Sequence, residues 1–286
     1  MAATTEFGSD GLYLKREDTH ELGAFKWRGA SAVLESKRPD LVVTASTGNH
    51  GAATAWAAKR VGAHAVVFVP EEASAAKLAL IEANGAELVR AGSDMDEAKA
   101  AARAYAAEHD AFFFEDGAEP AQFQGYEAIG DELLDDVSTP GSVVVPVGNG
   151  ALAIGVFRAL ARRSPATLRV AVSAAEAPAM WESWRAGEPV DSDRCATFAD
   201  GLAVRVAIPL AVRELNALAQ RFELVDENEL EQGVRVYAAA GIRVEGAAAA
   251  PLALALREEL PRPTVLIVTG GNIDDGLLHR ILTHGT

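Results

Sequence analysis

Lys26 lies in the run Gly23-Ala24-Phe25-Lys26-Trp27-Arg28-Gly29, an amine wedged between two aromatic side chains. Burying that charge is costly without a partner. One reading is a lysine at a helix start, its stem packed on the rings and its ammonium in water. The other is chemical. Burial lowers a lysine's proton affinity, and an unprotonated amine is what carbonyl chemistry needs. The run by itself leaves both open.

Three glycine-bearing turns accompany it. Val42-Val43-Thr44-Ala45 runs into Ser46-Thr47-Gly48-Asn49-His50-Gly51, Val143–Val147 into Gly148-Asn149-Gly150-Ala151-Leu152, and Val265–Val268 into Thr269-Gly270-Gly271-Asn272. Glycine lets backbone N–H groups approach an anion closely, and a following helix adds its positive end. One such turn is as readily a tight connection, but three at strand ends point to a ligand cleft. The second also fits a dinucleotide fingerprint, Gly148-x-Gly150-x-x-Ala153. That fingerprint needs an acid about twenty positions on. The next strand ends Val172-Ser173-Ala174-Ala175, and Glu176 comes a few residues late. The dinucleotide reading also leaves Lys26 and the other two turns unexplained.

These residues need a scaffold, and the pattern supplies one. Strands are expected at Leu12–Lys15, Leu41–Ala45, Ala65–Val69, Ala111–Phe114, Ser142–Val147, Arg169–Ser173, Phe222–Val225 and Thr264–Thr269. Helical spacing fills Asn49–Val61, Ser74–Asn84, Met95–Glu108 and Ala151–Arg163. Asp226 with Glu229 reads as a capping box for a helix through Ala239. Alternating β and α elements predict an α/β fold of mainly parallel sheets with helices on both faces. The units from Leu41 to Phe114 make a small open sheet of their own. The expected division is a small domain, 40–120, and a large one from 1–39 plus 121–286.

Composition narrows the classes. The chain has 286 residues, 49% hydrophobic and 23% charged, with a formal net charge of -15. Such a field repels phosphate backbones and anionic lipid, so nucleic-acid and membrane partners are not expected. Cys195 is the single cysteine, which rules out an intramolecular disulfide and a CxxC metal site. Met1 to Gly11 shows no secretory pattern, and no apolar run approaches the eighteen or so residues of a membrane span. A reducing, cytoplasmic home is expected. His20, His64, His109, His279 and His284 lack metal-ligand spacing and read as surface or loop residues, and no metal site is assigned. Trp181 and Trp184 read as packing.

Taken together, the motifs carry a resemblance. Leu14-Lys15-Arg16-Glu17-Asp18 leading to Gly23 through Ala30 resembles the Schiff-base segment of fold type II, the tryptophan-synthase-β-like pyridoxal-phosphate (PLP) enzymes. Within that family the likeness is closest to threonine/serine dehydratases. Ser46-Thr47-Gly48-Asn49-His50 resembles their Gly-Asn-His loop, and Gly148-Asn149-Gly150-Ala151-Leu152 stands where their phosphate loop does. Ala199–Val204, Val244–Ala249 and Thr269-Gly270-Gly271-Asn272-Ile273-Asp274 resemble further segments, all in family order and over nearly the whole chain.

The resemblance implies PLP in a cleft between two domains, with Lys26 as its Schiff-base lysine and then the base at Cα. Phe25 becomes the aromatic neighbour of the ring, and Asn49 the partner of the 3-hydroxyl. Ser46, Thr47, Gly48, Asn49 and His50 receive the substrate carboxylate. Gly148, Asn149, Gly150, Ala151 and Leu152 hold the phosphate, and Thr269 faces a pyridine nitrogen that stays unprotonated. The implied reaction is β-elimination from a serine- or threonine-like amino acid, giving a 2-oxo acid and ammonia, by a homodimer. Replacement chemistry like that of threonine synthase is one alternative. Racemisation, with Thr47 as the acid on the opposite face, is another. A non-catalytic amino-acid or PLP-binding protein and the NAD-binding reading are alternatives of other classes.

Some positions depart from the family pattern. Asn149 and Ala151 replace two glycines of the phosphate loop, and Ala24 stands where Ser or Thr is frequent. Ser173 takes the place of a glutamate that helps bind a divalent cation in relatives. Glu245 reads equally as a cofactor-facing residue or a helix-start glutamate.

Overall fold

A computed structural model describes residues 3–8 and 10–283, without the side chains of residues 76 and 77. Met1, Ala2 and Ser9 of the N-terminal stretch and His284 lie outside the described residues. The chain divides into two compact units, Phe25–Gly125 and Met1–Ala24 with Tyr126–Thr286.

The chain opens with β1 (Thr4–Glu6) and β2 (Leu12–Arg16), which belong to the larger unit. The smaller unit follows as α1 (Trp27–Lys37), β3 (Leu41–Ala45), α2 (Asn49–Val61), β4 (His64–Val69), α3 (Ala75–Ala83), β5 (Glu87–Arg90), α4 (Met95–Glu108) and β6 (Phe112–Phe113). Its parallel sheet has the order β5-β4-β3-β6, with Val42 beside Ala65 and Val43 beside Val66. Both faces are covered, so β3 and β4 are near-continuous apolar runs rather than alternating ones. The Asp94 side chain caps α4 through the Asp96 and Glu97 N–H groups, both at 2.9 Å. The unit starts at Phe25, whereas the sequence suggests a break near residue 40. Helix α1 packs on α2, with the Trp27 and Trp56 rings edge-to-face at 5.9 Å, and this draws Lys26 into the smaller unit.

Helix α5 (Pro120–Asp136) leads back to the larger unit, which continues as β7 (Ser142–Pro146), α6 (Ala151–Arg163), β8 (Leu168–Ala174), α7 (Ala179–Ala186), α8 (Pro209–Leu218), β9 (Arg221–Val225), α9 (Glu227–Ala239), α10 (Gly246–Arg257), β10 (Thr264–Val268) and α11 (Asp275–Thr283). Its sheet runs β1-β2-β10-β7-β8-β9, parallel except for the β1 edge. The capping box at α9 forms as the sequence suggests: Asp226 accepts from the Glu229 N–H at 2.8 Å, and Glu229 accepts from the Asp226 N–H at 2.7 Å. Lys15 on β2 is fully buried and is paired with Glu132 at 2.6 Å, with Glu17 3.7 Å away. That lysine is therefore a structural ion pair. No helix among the described residues is long and apolar enough to cross a membrane.

Candidate active site

The residues assigned from the sequence divide between the units. Phe25, Lys26, Ser46, Thr47, Gly48, Asn49 and His50 lie in the smaller one, and Gly148 through Leu152 and Thr269 in the larger.

Lys26 immediately precedes α1. Its Nζ lies 5.4 Å from the centroid of the buried Phe25 ring and hydrogen-bonds Asp116 Oδ2. The Lys26 side chain is 18% exposed, so this amine is held by a carboxylate rather than released into water. Asp116 follows β6. Its Oδ1 accepts from Gln122 Nε2 at 2.7 Å, and Gln122 Oε1 in turn accepts from the Gly117 N–H at 2.7 Å. Burial pushes the Asp116 carboxyl up. The Lys26 ammonium and the hydrogen bonds from Lys26 and Gln122 more than offset this, and the group sits well below the usual carboxylate range.

His50 is 6% exposed, and its ring turns inward. Nε2 lies 3.0 Å from Thr44 Oγ1 and 3.3 Å from the Phe114 carbonyl, to which Thr44 also donates at 2.8 Å. A carbonyl only accepts, and the Thr44 hydrogen is already committed, so the proton is on Nε2. Nδ1 faces Asp116 Oδ1 at 3.6 Å. Burial pushes the proton affinity of His50 down; Asp116 opposes this and Lys26 reinforces it. With the imidazole occupied this way, the loop is left to meet a carboxylate with backbone N–H groups and short side chains. Gly48 gives α2 no side-chain cap, and its first turn carries no acid. Such a helix start suits an anion.

In the larger unit, Gly148 and Gly150 are glycines by necessity. A Cβ on Gly148 would stand 2.2 Å from the Gly201 carbonyl oxygen, and Gly150 has φ +93° just before α6. Gly201 belongs to the Ala199–Val204 segment, which therefore serves to close one side of the glycine turn. Asn149 spends its Oδ1 on the Ala151 N–H at 3.1 Å, so one donor of the turn is already taken. No side chain caps Gly150, and α6 starts without an acid. This open backbone cradle fits a phosphate. Thr269, 2% exposed at the end of β10, donates to Glu245 Oε1 at 2.8 Å. Ser173 is buried and donates to the Val147 carbonyl at 2.8 Å, a role within the sheet.

Asp116, Gln122 and Thr44 form part of the site and are not singled out by sequence reasoning. The available signal is the carboxyl end of the Ala111–Phe114 strand, next in the sheet to β3. Glycine turns mark three of the other strand ends but not this one, where Glu115 and Asp116 come before Gly117.

The family described as "Pyridoxal-phosphate dependent enzyme" matches residues 2–270. An L-threonine ammonia-lyase of Geobacter sulfurreducens is 32% identical over 282 residues, which cover 96% of this chain and 70% of that protein. The processed form of threonine deaminase isoform 2 from Solanum lycopersicum superimposes with a TM-score of 0.90 at 26% identity, covering 96% of this chain and 83% of that one. Maize serine racemase gives a TM-score of 0.88 at 27% identity, with 94% and 85% covered.

Proposed function

Because this chain belongs to the pyridoxal-phosphate dependent enzymes, we propose that it eliminates the β-hydroxyl of L-threonine or L-serine as water and that the product, on taking water back by hydrolysis, ends as ammonia and the corresponding 2-oxo acid. The dinucleotide reading falls away with that membership. The observation that carries the proposal is the Lys26 amine, seated on the Asp116 carboxylate beside the Phe25 ring.

Bound PLP supplies the electron-withdrawing ring that makes a substrate Cα proton removable. The residues present suit it. Lys26 would be the attachment point, Asn49 would meet its hydroxyl, and Thr269 would stand near its ring nitrogen. The backbone N–H groups of the Gly148–Leu152 turn would take its phosphate, except that of Ala151, which the Asn149 side chain holds to shape the turn. The Ser46–His50 loop takes the substrate carboxylate through Ser46, Thr47 and the N–H groups opening α2. Lys26 Nζ would accept the proton from Cα and return one to the β-hydroxyl, which would leave as water.

Racemisation is the second reading, favoured by the likeness to a serine racemase, with Thr47 offering a hydroxyl at the opposite face. In either case the reading takes the enzyme to be a homodimer, as the family resemblance implies, in a reducing, cytoplasmic compartment, which its single half-buried cysteine suits. Release of 2-oxo acid from L-threonine and L-serine, with the chirality of residual substrate followed in parallel, tests the function. Oxo-acid release with retained chirality is expected. D-amino acid formed without oxo acid would replace lyase by racemase.

A further inference from the structure

Asp116 faces an unusual set of neighbours. Lys26 Nζ donates to Oδ2, and Gln122 Nε2 to Oδ1. The Gln122 amide is fixed, because its oxygen already accepts from the Gly117 N–H. His50 turns a bare Nδ1 towards Oδ1, its one proton lying on Nε2 against Thr44 and Phe114. The other charges nearby are spent elsewhere: Lys99 and Arg103 both pair with Glu115. Among the described residues Lys26 is thus the one cation seated on this carboxylate, and the neutral Gln122 amide holds Asp116 in place without competing for its charge.

We infer that Asp116 is a positioning residue for the reaction, a fixed carboxylate on which Lys26 carries its proton. The inference rests on the reading of Lys26 as the cofactor lysine. In the reaction the Cα–H bond would break, its proton passing to the Nζ lone pair and its electron pair staying with the substrate. The ammonium formed gains its counter-charge from Asp116 at once, with no rearrangement. When Lys26 gives the proton up, the carboxylate remains on Gln122 and waits. Without Asp116, Lys26 surrenders its proton too readily, since an opposite charge within a few ångströms favours the charged amine.

The test follows the reactivity of Lys26 in the full chain freed of cofactor. Acetic anhydride labels only the unprotonated amine, so labelling is read by peptide mass across neutral to alkaline pH, with exposed Lys59 as internal standard. In Asp116→Asn the Lys26 profile should move to lower pH with the same plateau, giving at least about tenfold faster labelling at neutral pH, where one unit is a factor of ten. Asp116→Glu, which keeps the charge, should return the profile towards wild type. A loosened site would instead raise the plateau and leave the pH position alone. Asp116→Ser is read alongside, so that a folding defect in one variant leaves the other to decide. A wild-type profile in folded Asp116→Asn or Asp116→Ser overturns the role of Asp116. Borohydride fixation on the cofactor-loaded wild type separates the two layers: label away from Lys26 removes the underlying reading, whereas label on Lys26 with an unmoved profile removes only this inference.

Discussion

Thr269 Oγ1 gives its only hydrogen to Glu245 Oε1, 2.8 Å away, and keeps lone pairs alone for anything else it meets. The motif by itself suggests a neutral hydroxyl facing an unprotonated pyridine nitrogen, which also only accepts. Two acceptors do not bond, so Glu245, which reads from the sequence as a helix-start glutamate just as well, becomes part of the electronic argument.

A set of variants resolves this pair. Thr269→Ser keeps the hydroxyl and should leave the cofactor spectrum and the product ratio unchanged. Glu245→Gln removes the charge behind the hydroxyl and should shift the partition between elimination and side reactions such as racemisation or transamination, read from product ratios. Thr269→Asp, a carboxylate in direct reach, should favour the protonated ring and raise those side reactions further. Identical partition in all three would detach Thr269 and Glu245 from the choice of reaction.

Gly148→Ala addresses the phosphate cradle. Its Cβ would fall 2.2 Å from the Gly201 carbonyl oxygen, a backbone atom that cannot swing away, so the turn itself must shift. PLP affinity should fall at least about tenfold, a loss of about 1.4 kcal/mol of binding, while the fold is retained. Equilibrium titration followed by absorbance measures this. Wild-type affinity in a folded Gly148→Ala would move the phosphate elsewhere.

Much of this arrangement is legible in the sequence, for identifiable reasons. The helices α2, α4 and α6 begin and end where turn residues and apolar spacing say they should, from Asn49 to Val61, Met95 to Glu108 and Ala151 to Arg163. Their faces pack on the sheets, so burial and pattern agree. The edge strands β1 and β5 escape notice, because Thr4–Glu6 and Glu87–Arg90 are short and largely exposed and carry little apolar pattern. Asp116 escapes for a different reason. Its ion pair with Lys26 joins residues 90 positions apart, and no local spacing encodes that. The smaller unit begins earlier than its first strand because the Trp27–Trp56 contact, also tertiary, claims α1.

His50 sets a pH window for stability. Its folded proton affinity lies below the ordinary value of 6.5, so as pH falls below 6.5 the unfolded chain binds a proton that the folded one refuses. Stability is therefore intact above 6.5 and declines below it, by at most about 1.4 kcal/mol per pH unit from this one group. Asp116, held below its ordinary 3.8, adds a separate loss only under that pH. Urea midpoints of cofactor-free wild type and His50→Gln should converge as pH falls from 6.5. A constant gap between them would contradict the assignment of a neutral buried imidazole.

Tyr237 is fully buried in the core of the larger unit, its ring 5.6 Å from that of Phe7, and its hydroxyl has no hydrogen-bond partner among the described residues. Burial pushes its phenol far up. An unmet buried hydroxyl costs about 1–3 kcal/mol, so Tyr237→Phe should leave stability equal or raise it by about 1 kcal/mol. A loss of more than about 1 kcal/mol in chemical denaturation would reveal a partner for that hydroxyl.

The central claim is that Lys26, and not the buried structural Lys15, carries the cofactor. Reducing the PLP-loaded protein with borohydride and mapping its peptides tests it most directly. The account predicts cofactor mass on the peptide containing Lys26, and no fixed cofactor and no turnover in Lys26→Ala. Cofactor recovered on Lys15 or Lys59, with Lys26 unmodified, would contradict it.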